Sequence, residues 1–428
     1  MEIRNLKPGQ RAALHTKQGD FECVVLESPQ SGIILIKLDS GYNIGIREEE
    51  ILDIKIIKEE KEKRGSEEEI KIEKNLPNVA LVSTGGTISS RLDYKTGAVK
   101  WLTNPKELLK FYPELFKICN IARIETPFMK ASENMGPEDW EIISEKVAEM
   151  LNDNEIDGVI VTHGTDFLHY TASALAFSLG KIGKPVAITY SQRSSDRGSS
   201  DARLNLVCAA RFAVSDIADV ALIGHANSGD EYCYALPATK SRKMHSSRRD
   251  TFRAINAKPI AKIYPDRIEL IDKYNPRDDK IKINAKSKFS EKAALVKFYP
   301  NQNPDILDYY INQGYKGIVV EASGLGHVIT EGKNNWIPKL KKVIKSGFVV
   351  CAAPQTIYGE LQPYVYSAGR ELEKTGIIYL KDILPETALV KLSWVLANPA
   401  LKKDIRESML NNFAREFNPR ISEDEFLN

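Results

Sequence analysis

Three short stretches of the chain carry side chains suited to chemistry on a carbonyl. The first is Thr84-Gly85-Gly86-Thr87-Ile88, directly after the apolar run VALVS. Adjacent glycines permit a tight turn and close approach of a ligand to the backbone, and a hydroxyl follows at once. The segment has neither the GxxxxGK[ST] nor the GxGxxG spacing of a phosphate loop, and Gly-Gly after a strand can equally be a plain turn. The second is His163-Gly164-Thr165-Asp166, at the end of another apolar run and opening a helical pattern. Thr165 would lie near a helix N-terminus, where free N–H groups and the dipole stabilise an alkoxide or carboxylate. Asp166 has two readings, a helix cap or a partner in proton transfer with Thr165 or a substrate amine. His163 reads as a packed, hydrogen-bonded ring, since no second metal-ligand candidate stands at a suitable spacing. The third stretch, residues 241–250 (SRKMHSSRRD), gathers Arg242, Lys243, His245, Arg248 and Arg249. It is either a basic surface patch or the source of a lysine that lowers a threonine hydroxyl's pKa or accepts its proton. Spacing alone does not choose.

The elements that position these stretches follow from hydrophobic patterning. NVALVSTGG, IDGVIVTHGTD, KPVAITYSQRSSD and DVALIGHANSGD are short runs apolar on both faces, and helical patterns follow the second and third. That is the pattern of a buried parallel sheet in an α/β domain, in which ligands sit outside the carboxyl ends of the strands. We assign this domain to residues 76–275. A second βαβ set, ALVKFYP, GYKGIVVEASGLG and GFVVCAAPQ with helical patterns between, occupies residues 290–410. Residues 1–57 read as short strands punctuated by Gly19 and Gly41, which suits a small, strongly bent antiparallel β-barrel. Residues 58–75, dominated by charges of alternating sign, form a solvated linker.

Composition sets the outer bounds. With 428 residues, 42% hydrophobic and 28% charged, the chain can bury cores in two or three domains and is neither disordered nor a disulfide scaffold. Sixty basic against 58 acidic side chains leave a net charge of +2, so no global field recruits nucleic acid or an anionic membrane. No apolar run approaches the ~18 residues needed to span a bilayer, and the first ten residues lack a signal-peptide core; a cytoplasmic protein is expected. The five cysteines are scattered without a CxxC pair, which predicts reduced thiols and no structural zinc.

The strand-TGGTI turn, the HGTD turn and the lysine of K-x-x-[ST]-[ST], in that order, resemble the bacterial-type L-asparaginase family. The resemblance extends to Ala131-Ser132-Glu133-Asn134-Met135, to residues 321–327 (EASGLGH) and to residues 366–370 (YSAGR) ahead of PETALVKLSW. It implies an asparaginase-like two-domain α/β fold, a larger parallel-sheet domain with a smaller βαβ domain, and a site completed by neighbouring subunits. It implies that Thr87 is the nucleophile-bearing threonine of a loop and that Thr165, Asp166 and Lys243 form a Thr-Asp-Lys cluster. It further implies that Ser132 and Glu133, with Gly86 and Gly164, hold the substrate, whose own carboxylate and amine the Ser-Glu pair grips. Two departures stand out. Phe167 replaces a threonine of the family's HGTDT, and Tyr94 takes no secure place as the family's loop tyrosine.

Simple asparaginases lack the first 75 residues. The barrel-like segment, the linker, SQRSSDRGSSDARLNL and KMHSSRRDTFRAIN together resemble the D subunits of archaeal glutamyl-tRNA(Gln) amidotransferases. That resemblance implies an amidase releasing ammonia from glutamine or asparagine, with no cofactor of its own. The E subunit of the same enzyme, with ATP and Mg, would activate and amidate Glu-tRNA(Gln), in a heterotetramer built on a homodimer of this chain. The competing expectations are a free-standing L-asparaginase and a non-catalytic RNA-binding scaffold using the barrel and the patch at residues 242–253.

Overall fold

Buried apolar and more exposed side chains alternate along Arg11–Thr16, the signature of a strand with one face on a core. This strand (β1) joins Gly19–Leu26 (β2), Ile33–Leu38 (β3), Asn43–Arg47 (β4) and Ile51–Ile56 (β5) in an antiparallel sheet of order β4-β3-β2-β1-β5. Leu14, Cys23, Val25, Ile36 and Ile46 are among the buried residues of its own core. The structure is a computed structural model that describes residues 6–26, 28, 32–38, 42–57, 73–92, 99–101, 112–194 and 197–426. Most of the charged linker expected at residues 58–75, and Tyr94, lie outside the described residues.

The larger domain is built on Asn78–Ser83 (β6), whose apolar side chains are buried on both faces. Ser90–Leu92 (β7) and Val99–Trp101 (β8) form a small ribbon after the TGGT turn. Asn120–Glu125 (β9), Gly158–Thr162 (β10), Val186–Thr189 (β11) and Val220–His225 (β12) complete a parallel array of order β12-β11-β10-β6-β9. Cys233–Pro237 (β13) then runs antiparallel to β12. The short segment 226–232 permits only this return, because a parallel one needs a crossover of about a dozen residues or more. Ser241–Lys243 (β14) and Phe252–Ala254 (β15) form a separate hairpin, and Ala261–Ile263 (β16) and Ile268–Leu270 (β17) finish the antiparallel edge. The expected parallel sheet is therefore mixed.

Pro137–Asn152 (α1), Leu168–Leu179 (α2) and Ala202–Ala213 (α3) cover the sheet. Helix α1 starts on a proline, and Asp139 accepts the Gly136 N–H at 3.0 Å, supplying the acceptor a helix start lacks. Helix α2 is apolar nearly all round because it is buried between the sheet and the smaller domain.

The smaller domain is a parallel sheet of Ala293–Lys297 (β18), Gly317–Ala322 (β19), Val349–Pro354 (β20) and Ile378–Tyr379 (β21), in that order. Its helices include Ile306–Asn312 (α4), Trp336–Lys345 (α5), Ser367–Glu373 (α6) and Pro385–Ala397 (α7). Helix α7 meets α2, with Phe177 stacked on Trp394 at 5.6 Å and the Ser173 and Thr387 hydroxyls 3.1 Å apart. The C-terminal segment returns to α7, where Lys391 and Glu416, both fully buried, pair at 2.7 Å. All five cysteines are buried and none forms a disulfide.

Strand β10 begins on a glycine because the backbone of α3 passes over it: a Cβ at Gly158 would lie 2.0 Å from the Ala213 carbonyl oxygen. Gly158→Ala is expected to cost about 1–3 kcal/mol, as overpacking does. Urea unfolding measures it, and an unchanged midpoint would contradict that close approach.

Candidate active site

Strands β6 and β10 are parallel neighbours, with Ser83 opposite Thr162. From this pair the chain proceeds to β9 on one side and to β11 and β12 on the other. This is a topological switch point, where the two following turns diverge and leave a crevice. The TGGT turn leaves β6 and the HGTD turn leaves β10.

The two turns touch through backbone. Gly85 and Gly86 lie at φ +117° and +81°, conformations that favour glycine. A Cβ on Gly86 would stand 2.5 Å from the N and Cα of Gly164, and one on Gly85 would stand 2.5 Å from the Lys130 carbonyl oxygen. Thr84 donates to the Thr162 carbonyl through its amide at 3.2 Å and its hydroxyl at 2.9 Å, while Lys130 N–H donates to the Thr84 carbonyl at 3.0 Å. Thr87 and Thr165 thus each follow a glycine at one backbone contact.

Two further expected residues, Ser132 and Glu133, follow from it. Gly164 leaves room for Ser132, whose Oγ would be 3.0 Å from a Cβ there. Ser132 is buried and accepts the Phe167 N–H at 3.3 Å. Glu133, the next residue in the same single-turn helix Ser132–Asn134, is exposed. Helix α2 begins only at Leu168, so Thr165 sits in the turn ahead of it and not in its first helical turn. His163 holds that turn from beneath, its Nδ1 donating to the Gly164 carbonyl at 2.7 Å and its Nε2 accepting from Thr171 Oγ1 at 2.9 Å. Burial keeps the ring neutral and pulls its pKa down to about 4.

Lys243 ends β14 opposite Phe252. Its largely buried ammonium donates to Thr165 Oγ1 at 2.8 Å and to Asp166 Oδ1 at 2.6 Å, while the Asp166 side chain remains 60% exposed. The arrangement links a hydroxyl, an ammonium and a carboxylate in series; once the ammonium gives a proton to the carboxylate, the amine can take the hydroxyl's. Asp166 does not cap the helix with its side chain; α2 has no side-chain cap hydrogen bond. Beside the cluster lies a cleft of about 410 Å³ lined by Asp166, Phe167, Arg242, Lys243, Glu321 and Glu386. His169, on the same cleft, has its pKa lowered to about 3 by burial and by the neighbouring Arg242 and Lys243 charges.

The rest of the basic stretch is occupied internally. Arg248 and Arg253 bond the buried Asp250 at 2.8 and 2.7 Å; burial alone would raise its pKa, but the two guanidiniums hold it well below the usual carboxylate range. His245 Nδ1 accepts from the amides of Ser247 and Arg248. Two contacts are not foreseen from the sequence. Lys240 is buried against Asp382 at 2.5 Å, and Arg242 lies 3.2 Å from Glu386. Nothing in the sequence distinguishes them from solvated bases; only an apolar flank, YALPA, hints that Lys240 is enclosed.

Residues 6–57, 78–275 and 292–409 match the family models described as the GatD N-terminal domain, the N-terminal asparaginase domain and the glutaminase/asparaginase C-terminal domain. The chain is 45% identical over its whole length to the D subunit of the glutamyl-tRNA(Gln) amidotransferase of Thermococcus kodakarensis, covering 98% of that protein. It belongs to the GatD family, the D subunits of the glutamyl-tRNA(Gln) amidotransferases. The Pyrococcus abyssi member is 43% identical, with 100% of this chain and 98% of that protein covered. Among solved structures, the L-asparaginase of Thermococcus kodakarensis superimposes with TM-score 0.67 at 27% identity, covering 80% of this chain and all of the other. L-asparaginase I of Vibrio cholerae gives 0.67 at 25%, covering 80% and 99%. The GatD family thus combines an asparaginase fold with further sequence that the two asparaginases do not account for.

Two outcomes are expected. Gly86→Ala should drive the TGGT and HGTD turns apart and reduce amide hydrolysis by about 10²-fold, the cost of misplacing reacting groups by about 1 Å; steady-state ammonia release measures it. His163 and His169 stay neutral in the fold but take up a proton near pH 6.5 when unfolded. Stability should therefore fall as pH is lowered from about 6.5 toward 4, by about 1.4 kcal/mol per pH unit for each ring. Urea midpoints across that range test it, and His163→Gln should remove one ring's share.

Proposed function

We propose that this chain is the ammonia-releasing amidase component of a glutamyl-tRNA(Gln) amidotransferase. Carrying the reading is one observation, the series Thr165–Lys243–Asp166 at the switch point of an asparaginase fold. In this reading the side-chain amide of glutamine or asparagine lies between the TGGT and HGTD turns. Ser132 and Glu133, with Gly86 and Gly164, grip the amino acid's own carboxylate and amine. Lys243 passes a proton to Asp166, and the neutral amine then takes the hydroxyl proton as Thr87 or Thr165 attacks the amide carbon. The C–N bond breaks, ammonia leaves with that proton, and water then opens the acyl ester to release glutamate or aspartate.

The chain needs no cofactor for this chemistry. Its partner, the E subunit of the amidotransferase, uses ATP and Mg to activate Glu-tRNA(Gln), which ammonia converts to Gln-tRNA(Gln), in a cytoplasmic heterotetramer built on a homodimer of this chain. Division of labour agrees with the net charge of +2, which leaves phosphate binding mainly to the partner. No helix among the described residues is long and apolar enough to cross a membrane. A free-standing L-asparaginase would use the same cluster, but the module at residues 6–57 counts against it.

Thr165→Ala and Lys243→Ala are expected to abolish glutamine-dependent amidation of Glu-tRNA(Gln) while leaving ammonia-dependent amidation by the complex intact. Normal glutamine-dependent transfer in either variant would refute the assignment. Mapping a trapped glutamyl ester to the Thr87 or the Thr165 peptide of the unmodified chain by mass spectrometry separates the two candidate nucleophiles.

A further inference from the structure

Whatever fixes strand β14 fixes the Lys243 ammonium at its end. Lys240 closes the single-turn 3-10 helix Ala238–Lys240 that leads into β14, and Arg242 is the middle residue of β14; both reach one segment of the smaller domain, between β21 and the start of α7. Lys240 Nζ lies 2.5 Å from Asp382 Oδ2 and donates to the Asp382 carbonyl at 2.9 Å. Arg242 Nε lies 3.2 Å from Glu386 Oε1. Lys243 faces the other way, toward Thr165 and Asp166.

The other strand of the hairpin is tied to the same domain. Ile255 N–H donates to the Lys240 carbonyl at 2.8 Å, closing the base. Asn256, at φ 52°, donates through Nδ2 to the Gly359 carbonyl and accepts the Gly359 N–H through Oδ1, both at 3.0 Å. The C-terminal segment adds a third tie. Asn418 N–H donates to Asp382 Oδ1 at 3.2 Å, Asn418 Nδ2 donates to the Asn256 carbonyl, and Thr239 Oγ1 donates to the Ala414 carbonyl at 2.8 Å.

Lys240 and Asp382 are at most 1% exposed. Removing two charges from water is costly, and an apolar pair of similar volume is often as stable or more so. Stability therefore gives no reason for charges here, whereas a short directed contact does fix a position. We propose that the Lys240–Asp382 pair is a positioning device that sets the hairpin against the HGTD turn and so holds Lys243 Nζ on Thr165 and Asp166. The inference rests on reading those three residues as the amide-cleaving cluster. The smaller domain then governs the chemistry through the position of Lys243.

Lys240→Met and the double variant Lys240→Met/Asp382→Leu test it in the full-length chain complexed with its amidotransferase partner, by melting temperature and by steady-state ammonia release from glutamine. The single variant leaves Asp382 buried and uncompensated, so its melting temperature should fall; the double variant removes both charges and should recover it. In both, kcat should drop about tenfold or more with KM within about twofold of the wild type, the signature of a displaced reacting group. A double variant that recovers kcat together with melting temperature overturns the proposal, as does wild-type kcat in the single variant. Absence of ammonia release by the wild-type complex would instead strike the amidase reading itself.

Discussion

The site depends on two backbones passing closer than any side chain allows. Gly86 meets the N and Cα of Gly164 where even a methyl group would stand at 2.5 Å. Because that contact lies at the switch point between β6 and β10, the sheet itself decides that two hydroxyl-bearing turns share a crevice. Helices and loops around it serve to keep the turns rigid, with His163 beneath one turn and Ser132 bracing the Phe167 amide beside it.

The same logic extends along the carboxyl edge of the sheet. Asp201, fully buried, accepts the amides of Gln192 and Arg193 at 2.9 and 3.0 Å and the Ser191 hydroxyl at 3.0 Å, fixing the loop after β11. Asn205, one helical turn on, bonds the Tyr190 carbonyl and the His225 amide, both at 2.9 Å, so the ends of β11 and β12 share one helix as their anchor. A buried carboxylate satisfied by several donors is costly to leave half-bonded, and such networks specify one arrangement of loops. The loops that surround the crevice are therefore held by polar contacts, and the strands beneath them by apolar burial.

Much of this is legible in the sequence. Runs such as GVIVT, apolar on both faces and ending in HGTD, mark buried strands whose carboxyl ends bear the chemistry, because burial on both faces leaves no alternation to mask. The mixed edge is less legible. DVALIGH reads as one more parallel strand, and only the brevity of the following turn forces β13 to come back antiparallel. At the site, Thr165 and Asp166 are neighbours in sequence, but Lys243 lies 78 and 77 residues from them and meets them only through the hairpin's placement. Lys240 and Arg242 are indistinguishable from surface bases because their partners, Asp382 and Glu386, belong to another domain. Long-range pairs between charged groups leave no periodic trace in a sequence.

The five buried thiols have a practical corollary. Burial pushes Cys119 and Cys351 up to about 12 and Cys233 well above its ordinary value, and it is the thiolate that reacts with electrophiles and oxidants. Burial of all five also shields them from alkylating reagents in the folded chain. A single cysteine introduced on its surface would accept a maleimide fluorophore or spin label without native competition, and loss of that selectivity on heating would report unfolding directly.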